Sequence, residues 1–259
     1  MKVVILAGGY GSRLGSITAA IPKPMVALGN KPIIRHIMKI YSYYGFNDFV
    51  VSCGYRADII KDYFLNFDKY DNNFTIGLAS GAVEVEHKSP LPPWSVSICD
   101  TGLSSLKAAR IKKVEQYLDD VNMVTYGDGV ADVDIAALVK FHESHGKILT
   151  ITGVRPQSRF GEIVSEDERV TSFFEKGQTL EGWVNGGFMV FNRELLDYID
   201  DDPGCDLEST VVSRLIEQDQ VRMYKHTGQW ACVDHERDLV YLNGLIESGQ
   251  AFWELGVHE

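Results

Sequence analysis

Val3-Val4-Ile5-Leu6-Ala7-Gly8-Gly9-Tyr10-Gly11-Ser12-Arg13-Leu14 is the stretch that decides the fold. Val3–Ala7 is an unbroken apolar run with no polar alternation, the pattern of a strand covered on both faces in a parallel sheet. Gly8, Gly9 and Gly11 then turn the chain at the strand's C-terminal end, where open α/β sheets bind ligands. The loop runs on to Pro24 and carries Arg13 and Lys23, the latter between Pro22 and Pro24. Backbone N–H groups unshielded by a Cβ approach phosphate oxygens closely, and the two cations can neutralise a polyphosphate. The spacing is that of neither a P-loop, which ends in Gly-Lys-Ser/Thr, nor a GxGxxG turn. A glycine turn alone is as readily a chain reversal. Arg13 and Lys23 in the same loop favour the anion site.

Outward from this stretch, elements alternate. Ile33, Ile34, Ile37, Met38 and Tyr41 recur at helical spacing before Gly45, residues 49–52 form a second strand, and 57–64 is again helical. Residues 72–100 alternate polar with apolar and contain Pro90, Pro92 and Pro93, which predicts antiparallel ribbon and loop. Helices are expected over 105–118, over 132–145 with Asp132 as cap, and over 193–199, 207–218 and 236–247. Strands are expected over 122–126, 147–154, 184–191, 221–224 and 230–233, with a hairpin over 161–174. The fold class is α/β: a single-domain, doubly wound (Rossmann-like), mixed but mostly parallel sheet with a small antiparallel β-ribbon insertion.

The chain has 259 residues, 45% hydrophobic and 24% charged, enough for a sizeable core. A net charge of −11 argues against nucleic acid as a partner, since that affinity comes from cations neutralising phosphates. Small anions remain open to a local cluster of cations or N–H groups. Cys53, Cys99, Cys205 and Cys232 form no CxxC pair, so no zinc spacing is present and they read as free thiols of a reducing compartment. The apolar start is too short for a signal-peptide core, and no stretch approaches the ~20 apolar residues of a membrane span. The expectation is a cytoplasmic protein without a membrane partner.

Two carboxylates end apolar runs: Asp128 in Tyr126-Gly127-Asp128-Gly129, and Asp234 after Trp230-Ala231-Cys232-Val233. Each alone reads as a turn residue. Jointly they could hold Mg²⁺, which takes one or two carboxylates plus substrate phosphates. His36, His142, His145 and His235 are expected at helix surfaces or ends.

The pattern Gly8-Gly9-x-Gly11-Ser12-Arg13-Leu14, Pro22-Lys23-Pro24-Met25, Gly127-Asp128, Glu175-Lys176 and Asn185-Gly186-Gly187 resembles that of the sugar-1-phosphate nucleotidyltransferases along the whole chain. Arg35-His36-Ile37-Met38-Lys39, Cys53-Gly54-Tyr55, Asp100-Thr101-Gly102, Arg110-Ile111-Lys112, Tyr126-Gly127-Asp128-Gly129-Val130-Ala131-Asp132 and Phe160-Gly161 are most similar to the glucose-1-phosphate cytidylyltransferases. The resemblance implies Mg²⁺-dependent transfer of a cytidylyl group from CTP to a sugar 1-phosphate, α-D-glucose 1-phosphate, by a homo-oligomer. The products would be a CDP-sugar for surface-polysaccharide synthesis and pyrophosphate.

It further implies that Leu6, Gly8, Gly9, Gly11, Ser12, Arg13, Lys23, Arg110, Tyr126 and Asp128 bind the nucleotide, Arg13 and Lys23 being catalytic. Glu175, Lys176, Asn185 and Gly187 would bind the sugar phosphate, and Asp128 and Asp234 the Mg²⁺. The nucleotide-binding part would span about 1–130 and the sugar-phosphate-binding part about 131–259. As a loop cation, Lys23 is expected to be solvated and dispensable for folding.

Ser12 stands for the family's Thr, Ile21 for a Lys, Gly177 for a Pro, Ala108-Ala109 for glycines, and Ala231-Cys232-Val233 for a Pro-Met pair. These departures leave UTP or dTTP as donor, or another phosphomonoester as acceptor, as alternatives. A non-catalytic sugar-nucleotide-binding relative would be expected to lack Lys23, Asp128 or Asp234, and all three are present. The tail Phe252-Trp253-Glu254-Leu255 reads equally as contact surface or as packing on the chain's own core.

Overall fold

A computed structural model describes residues 1–88, 90–156, 162–166, 168–174 and 182–256. Strand β1 (Val3–Ala7) is buried at every position, with a parallel neighbour on each side. The glycine loop contains a 3₁₀ turn over Ser12–Leu14, helix α1 (Ser16–Ala20) and a second 3₁₀ turn over Lys23–Met25. It leads to a small hairpin of β2 (Ala27–Leu28) and β3 (Lys31–Pro32). Helix α2 (Ile33–Tyr43), β4 (Asp48–Cys53), α3 (Ala57–Leu65) and α4 (Phe67–Asp71) follow, then β5 (Asn73–Gly77), β6 (Ala82–Glu86) and β7 (Ser95–Asp100). Helix α5 (Lys107–Lys112) precedes β8 (Val121–Tyr126), β9 (Gly129–Ala131), α6 (Ile135–His145) and β10 (Leu149–Val154). The hairpin of β11 (Glu162–Glu166) and β12 (Arg169–Phe174) leads to β13 (Val184–Asn192). Helix α7 (Ser213–Glu217), β14 (Val221–Lys225), β15 (Trp230–Cys232) and α8 (Glu236–Glu247) complete the described chain.

The main sheet has the order β14-β10-β13-β8-β1-β4-β7. It is parallel throughout except at β13, which runs against both neighbours. This is the mixed, mostly parallel sheet expected. Because β1 and β8 lie side by side and parallel, the loops after them open on the same edge. Alternate residues of β1 face opposite layers. Val3, Ile5 and Ala7 pack with α2 (Ile33, Ile37) and α6 (Ile135, Leu138). Val4 and Leu6 pack with α5 (Ala108, Ile111) and the segment around Leu195 and Leu207.

The ribbon of β5 and β6 is antiparallel as expected. Its register sets Phe74 opposite Val85 and Ile76 opposite Val83, so one face is apolar, and Phe74, Ile76 and Val83 on it are exposed. The same expectation fails at β7, which is the parallel edge strand of the main sheet. Its alternation comes from partial cover at an edge, and alternation does not distinguish that from a hairpin. The helix expected over 105–118 contracts to α5 and a 3₁₀ turn at Glu115–Tyr117. Residues 193–198 are 3₁₀, and 207–212 wind as a π-type turn before α7. The cap of α6 is Asp134, which accepts from the Ala137 N–H at 2.8 Å. Asp132 instead accepts from the Gln229 N–H at 2.7 Å and lies 2.8 Å from His226 Nε2.

His36 is buried, contrary to the placement expected, whereas His142, also buried, lies in the last turn of α6, a helix end as expected. The Trp253 indole N–H donates to His36 Nδ1 at 3.1 Å, and His36 Nε2 donates to the Leu28 carbonyl at 3.1 Å. Trp253 is 1% exposed, so the tail packs on its own core. These partners require a neutral ring protonated on Nε2, since an imidazolium would turn an N–H against the indole N–H. Burial lowers the His36 pKa, with the Leu28 carbonyl and Glu254 opposing. The unfolded chain therefore takes up this proton first, near its ordinary value of about 6.5. Stability is complete above that pH and falls by up to about 1.4 kcal/mol per pH unit as pH drops toward the folded-state pKa. Thermal melts from about pH 7 to pH 5 are expected to fall more steeply for the wild type than for His36→Gln. Equal slopes would remove His36 as a source of acid sensitivity.

Candidate active site

The loops after β1 and β8 face each other across a cleft of about 850 Å³. At one end, Lys23 Nζ lies 2.5 Å from Asp128 Oδ2 and 2.6 Å from Asp234 Oδ1, and Arg13 Nη1 donates to Asp234 Oδ2 at 2.7 Å. Local structure brings these groups together. The antiparallel pairing of β9 with β15, extended by a bond from the Val233 N–H to the Asp128 carbonyl at 2.9 Å, sets the two aspartates side by side. Asp238 at the start of α8 accepts from the N–H groups of Asp234 and His235 at 3.0 and 2.8 Å. Pro24 packs on Gly127, where a Cβ would meet its Cγ at 2.6 Å, and so presses the Lys23 turn against Asp128.

The Lys23 side chain is only 11% exposed, which corrects the expectation of a solvated cation. Burial alone would lower its pKa, yet the two carboxylates hold it above the ordinary value. Burial would likewise raise Asp234, but Lys23 and Arg13 hold its carboxyl below the usual range. Two carboxylates converging on one positive centre are donors suited to a hard divalent cation whose remaining ligands come from substrate and water. Among the described residues there is no group of three or more His, Cys, Asp or Glu that could hold a metal ion.

The glycines have separate jobs. A Cβ on Gly8 would lie 2.1 Å from Nη1 of Arg110, whose guanidinium is packed beneath the loop. Arg110 is 4% exposed and donates to the carbonyls of Gly8 (3.0 Å), Cys53 (3.0 Å) and Gly102 (2.9 Å) and to the Thr101 hydroxyl (2.6 Å). A Cβ on Gly9 would touch nothing within 4 Å, so packing does not dictate that glycine. Its bare backbone leaves room for a ligand to approach. Gly11 has φ +65, the left-handed region.

The opposite wall comprises Leu103–Lys107 and, across from them, Asp206, Glu208 and Ser209. Lys107 Nζ lies 2.5 Å from Glu208 Oε2 and 5.6 Å over the Tyr126 ring. The Tyr126 hydroxyl donates to Glu208 Oε1, and Asn185 Nδ2 donates to the Tyr126 oxygen at 2.9 Å. Burial, then the Glu208 carboxylate, pushes the Tyr126 pKa far up.

The model of the Nucleotidyl transferase family matches residues 2–248. The chain belongs to this family. This nucleotidyl transferase is 44% identical over 256 residues to the glucose-1-phosphate cytidylyltransferase of Salmonella typhi, covering 98% of this chain and 99% of that one. It is 36% identical over 256 residues to the probable glucose-1-phosphate cytidylyltransferase of Bacillus subtilis, covering 98% and 100%. Its fold matches that of HddC from Yersinia pseudotuberculosis with a TM-score of 0.68 at 22% identity, covering 95% and 99% of the two chains.

In this nucleotidyl transferase, Leu6, Gly8, Gly9, Gly11, Arg13, Lys23, Arg110, Tyr126, Asp128 and Asn185 all line the cleft. Ser12 lies in the exposed 3₁₀ turn, off the cleft wall. Asp234 enters the site through Lys23 and Arg13. Gly187 (φ +86) lies against the Tyr126 ring, which a Cβ there would meet at 2.5 Å. Glu175 and Lys176 lie outside the described residues, as do Phe160, Gly161 and Gly177. Sequence reading missed Lys107, Asp206 and Glu208. Asp206 gave a signal only as a helix cap, which it is, accepting from the Ser209 N–H at 3.1 Å. Glu208 in the first turn reads as a dipole-favoured acid.

Proposed function

We propose that this nucleotidyl transferase moves a cytidylyl group from CTP to α-D-glucose 1-phosphate, forming CDP-glucose and pyrophosphate. The 44% identity along essentially the full length of a glucose-1-phosphate cytidylyltransferase carries this reading. The convergence of Lys23, Arg13, Asp128 and Asp234 beside an open glycine loop supports it.

The Gly8–Gly11 backbone receives the triphosphate, with Arg13 and Lys23 as its counter-charges. Asp128 and Asp234 would hold Mg²⁺, which when bound would supply Lewis-acid polarisation of the phosphate oxygens. Asn185 and Gly187, with Glu175 and Lys176, orient the acceptor, so that residues of about 131–259 complete a site begun by about 1–130. Two anions must meet, and each unit charge pair at 4 Å repels by about 4 kcal/mol at an effective dielectric of 20. Lys23 and Arg13 offset that repulsion from fixed positions.

An oxygen of the sugar phosphate attacks the α-phosphorus in line. The bond from the α-phosphorus to the bridging oxygen breaks, and its electron pair leaves with pyrophosphate. The attacking oxygen is already largely ionised near neutral pH, so no general base is required. No histidine lines the cleft among the described residues.

The test is pyrophosphate release with Mg²⁺ and glucose 1-phosphate, run in parallel with CTP, UTP, dTTP, ATP and GTP. CTP is expected to exceed the others at least tenfold. Equal release with another nucleotide would overturn the donor. Release that needs a different sugar phosphate would overturn the acceptor.

A further inference from the structure

The hydrogen bonds that join the far wall to β13 run in one direction. A carboxylate only accepts, so the Tyr126 proton is committed to Glu208. The Tyr126 oxygen is then left to accept, and it does so from Asn185 Nδ2 at 2.9 Å. The Asn185 carboxamide is thereby oriented with Oδ1 toward the Gly187 N–H, which donates to it at 3.0 Å. Lys107 holds the other oxygen of Glu208 at 2.5 Å and keeps the carboxylate turned to Tyr126. Glu208, Tyr126 and Asn185 all line the cleft, and they come from three separate segments: the turn over 207–212, β8 and β13.

We propose that Glu208 is a positioning residue for the acceptor. Acting through Tyr126, it fixes which end of the Asn185 carboxamide points where. One Asn185 N–H and one Oδ1 lone pair are left to select hydroxyl groups of a pyranose phosphate. The inference rests on the reading that Asn185 contacts the acceptor. A neutral amide at position 208 disturbs this order, because its NH₂ can donate to the Tyr126 oxygen. The Tyr126 proton is then free to turn toward Asn185, where it meets another donor. Flipping Asn185 to relieve that contact would set its NH₂ against the Gly187 N–H. A chain polarised from a carboxylate also binds more tightly at each link than isolated pairs do.

The experiment compares wild type, Glu208→Gln, Tyr126→Phe and the double variant in steady-state pyrophosphate release. Each substrate is varied with the other saturating, and thermal melts check folding. Glu208→Gln is expected to raise the acceptor KM about tenfold while the nucleotide KM stays within about twofold. Tyr126→Phe is expected to raise the acceptor KM by a similar factor. The double variant is expected to be no worse than the worse single one, because both changes cut one relay. Glu208→Asp, which keeps the carboxylate, is expected to recover part of the loss and serves as the test should Glu208→Gln not fold. An unmoved acceptor KM, a nucleotide KM that rises equally in Glu208→Gln, or losses that multiply in the double variant would each overturn the proposal. Failure of the underlying reading shows separately, as wild-type inactivity with glucose 1-phosphate.

Discussion

Lys23→Ala is expected to lower turnover by about 10²–10³-fold, the scale seen when one fixed donor to transition-state charge is removed. The same change should lower the stability of the resting protein. Lys23 is bonded to both Asp128 Oδ2 and Asp234 Oδ1, and its side chain is largely buried. Its loss leaves two half-buried carboxylates facing each other, at a cost of about 1–3 kcal/mol. For a chain of this length each kcal/mol is worth about 2–4 °C in Tm. Adding Mg²⁺ to the variant should restore much of that Tm, since a ligand bound only by the folded state stabilises it by mass action. Pyrophosphate release and melts with and without Mg²⁺ read both effects. A near-normal rate would remove Lys23 from the chemistry. An unchanged Tm would mean that the aspartates relax apart without it.

Arg110→Leu is expected to be more damaging to the fold than to any single contact with substrate. Its guanidinium gathers the carbonyls of Gly8, Cys53 and Gly102 and the Thr101 hydroxyl from three separate segments of chain. The Gly8 carbonyl keeps a second donor in the Tyr55 N–H, and that of Cys53 keeps the Thr101 N–H. The cost therefore comes chiefly from apolar carbon placed against this ring of oxygens and from the lost floor of the glycine loop. Destabilisation of about 3 kcal/mol and at least a tenfold rise in nucleotide KM are expected. Arg110→Lys should recover little, because a single ammonium cannot span the same set of acceptors. A variant with wild-type melting and unchanged nucleotide KM would show that the loop holds its shape without this support. Gly54 is bound to the same arrangement: a Cβ there would lie 2.6 Å from Arg110 Nη1 and 2.8 Å from the carbonyl oxygens of Gly8 and Gly102.

What was legible in the chain was what local chemistry encodes. The Val3–Ala7 run followed by glycines gave the buried strand and the open loop. Arg13, Lys23, Asp128 and Asp234 stood out as charges at strand ends. Asp128 and Asp234 were expected to share a cation, but the ladder of β9 and β15 that sets them side by side was not legible, being three residues long and too short to leave a period in the sequence. Asp132 and Asp134 are equally good caps on paper, and the choice was made by Gln229, distant in sequence. Glu208 was hidden because an acid in a first helical turn needs no further explanation. Arg110 was assigned to the nucleotide by the resemblance alone, and its structural part was hidden because the carbonyls that engage it come from segments the sequence does not bring together.

The ladder between β9 and β15 has a consequence for how the chain could be divided. Asp128 belongs to a segment built from β1, β4, β7, β8 and β9, whereas Asp234 follows β10, β13, β14 and β15. A break at the turn of Gly146, between α6 and β10, would put one carboxylate on each fragment, and among the described residues the strand pairings that would reunite them are the β8–β13 and β9–β15 seams. Neither fragment alone holds both acids and the lysine between them. Activity regained on mixing would thus report reassembly of the two seams, making the site its own complementation sensor.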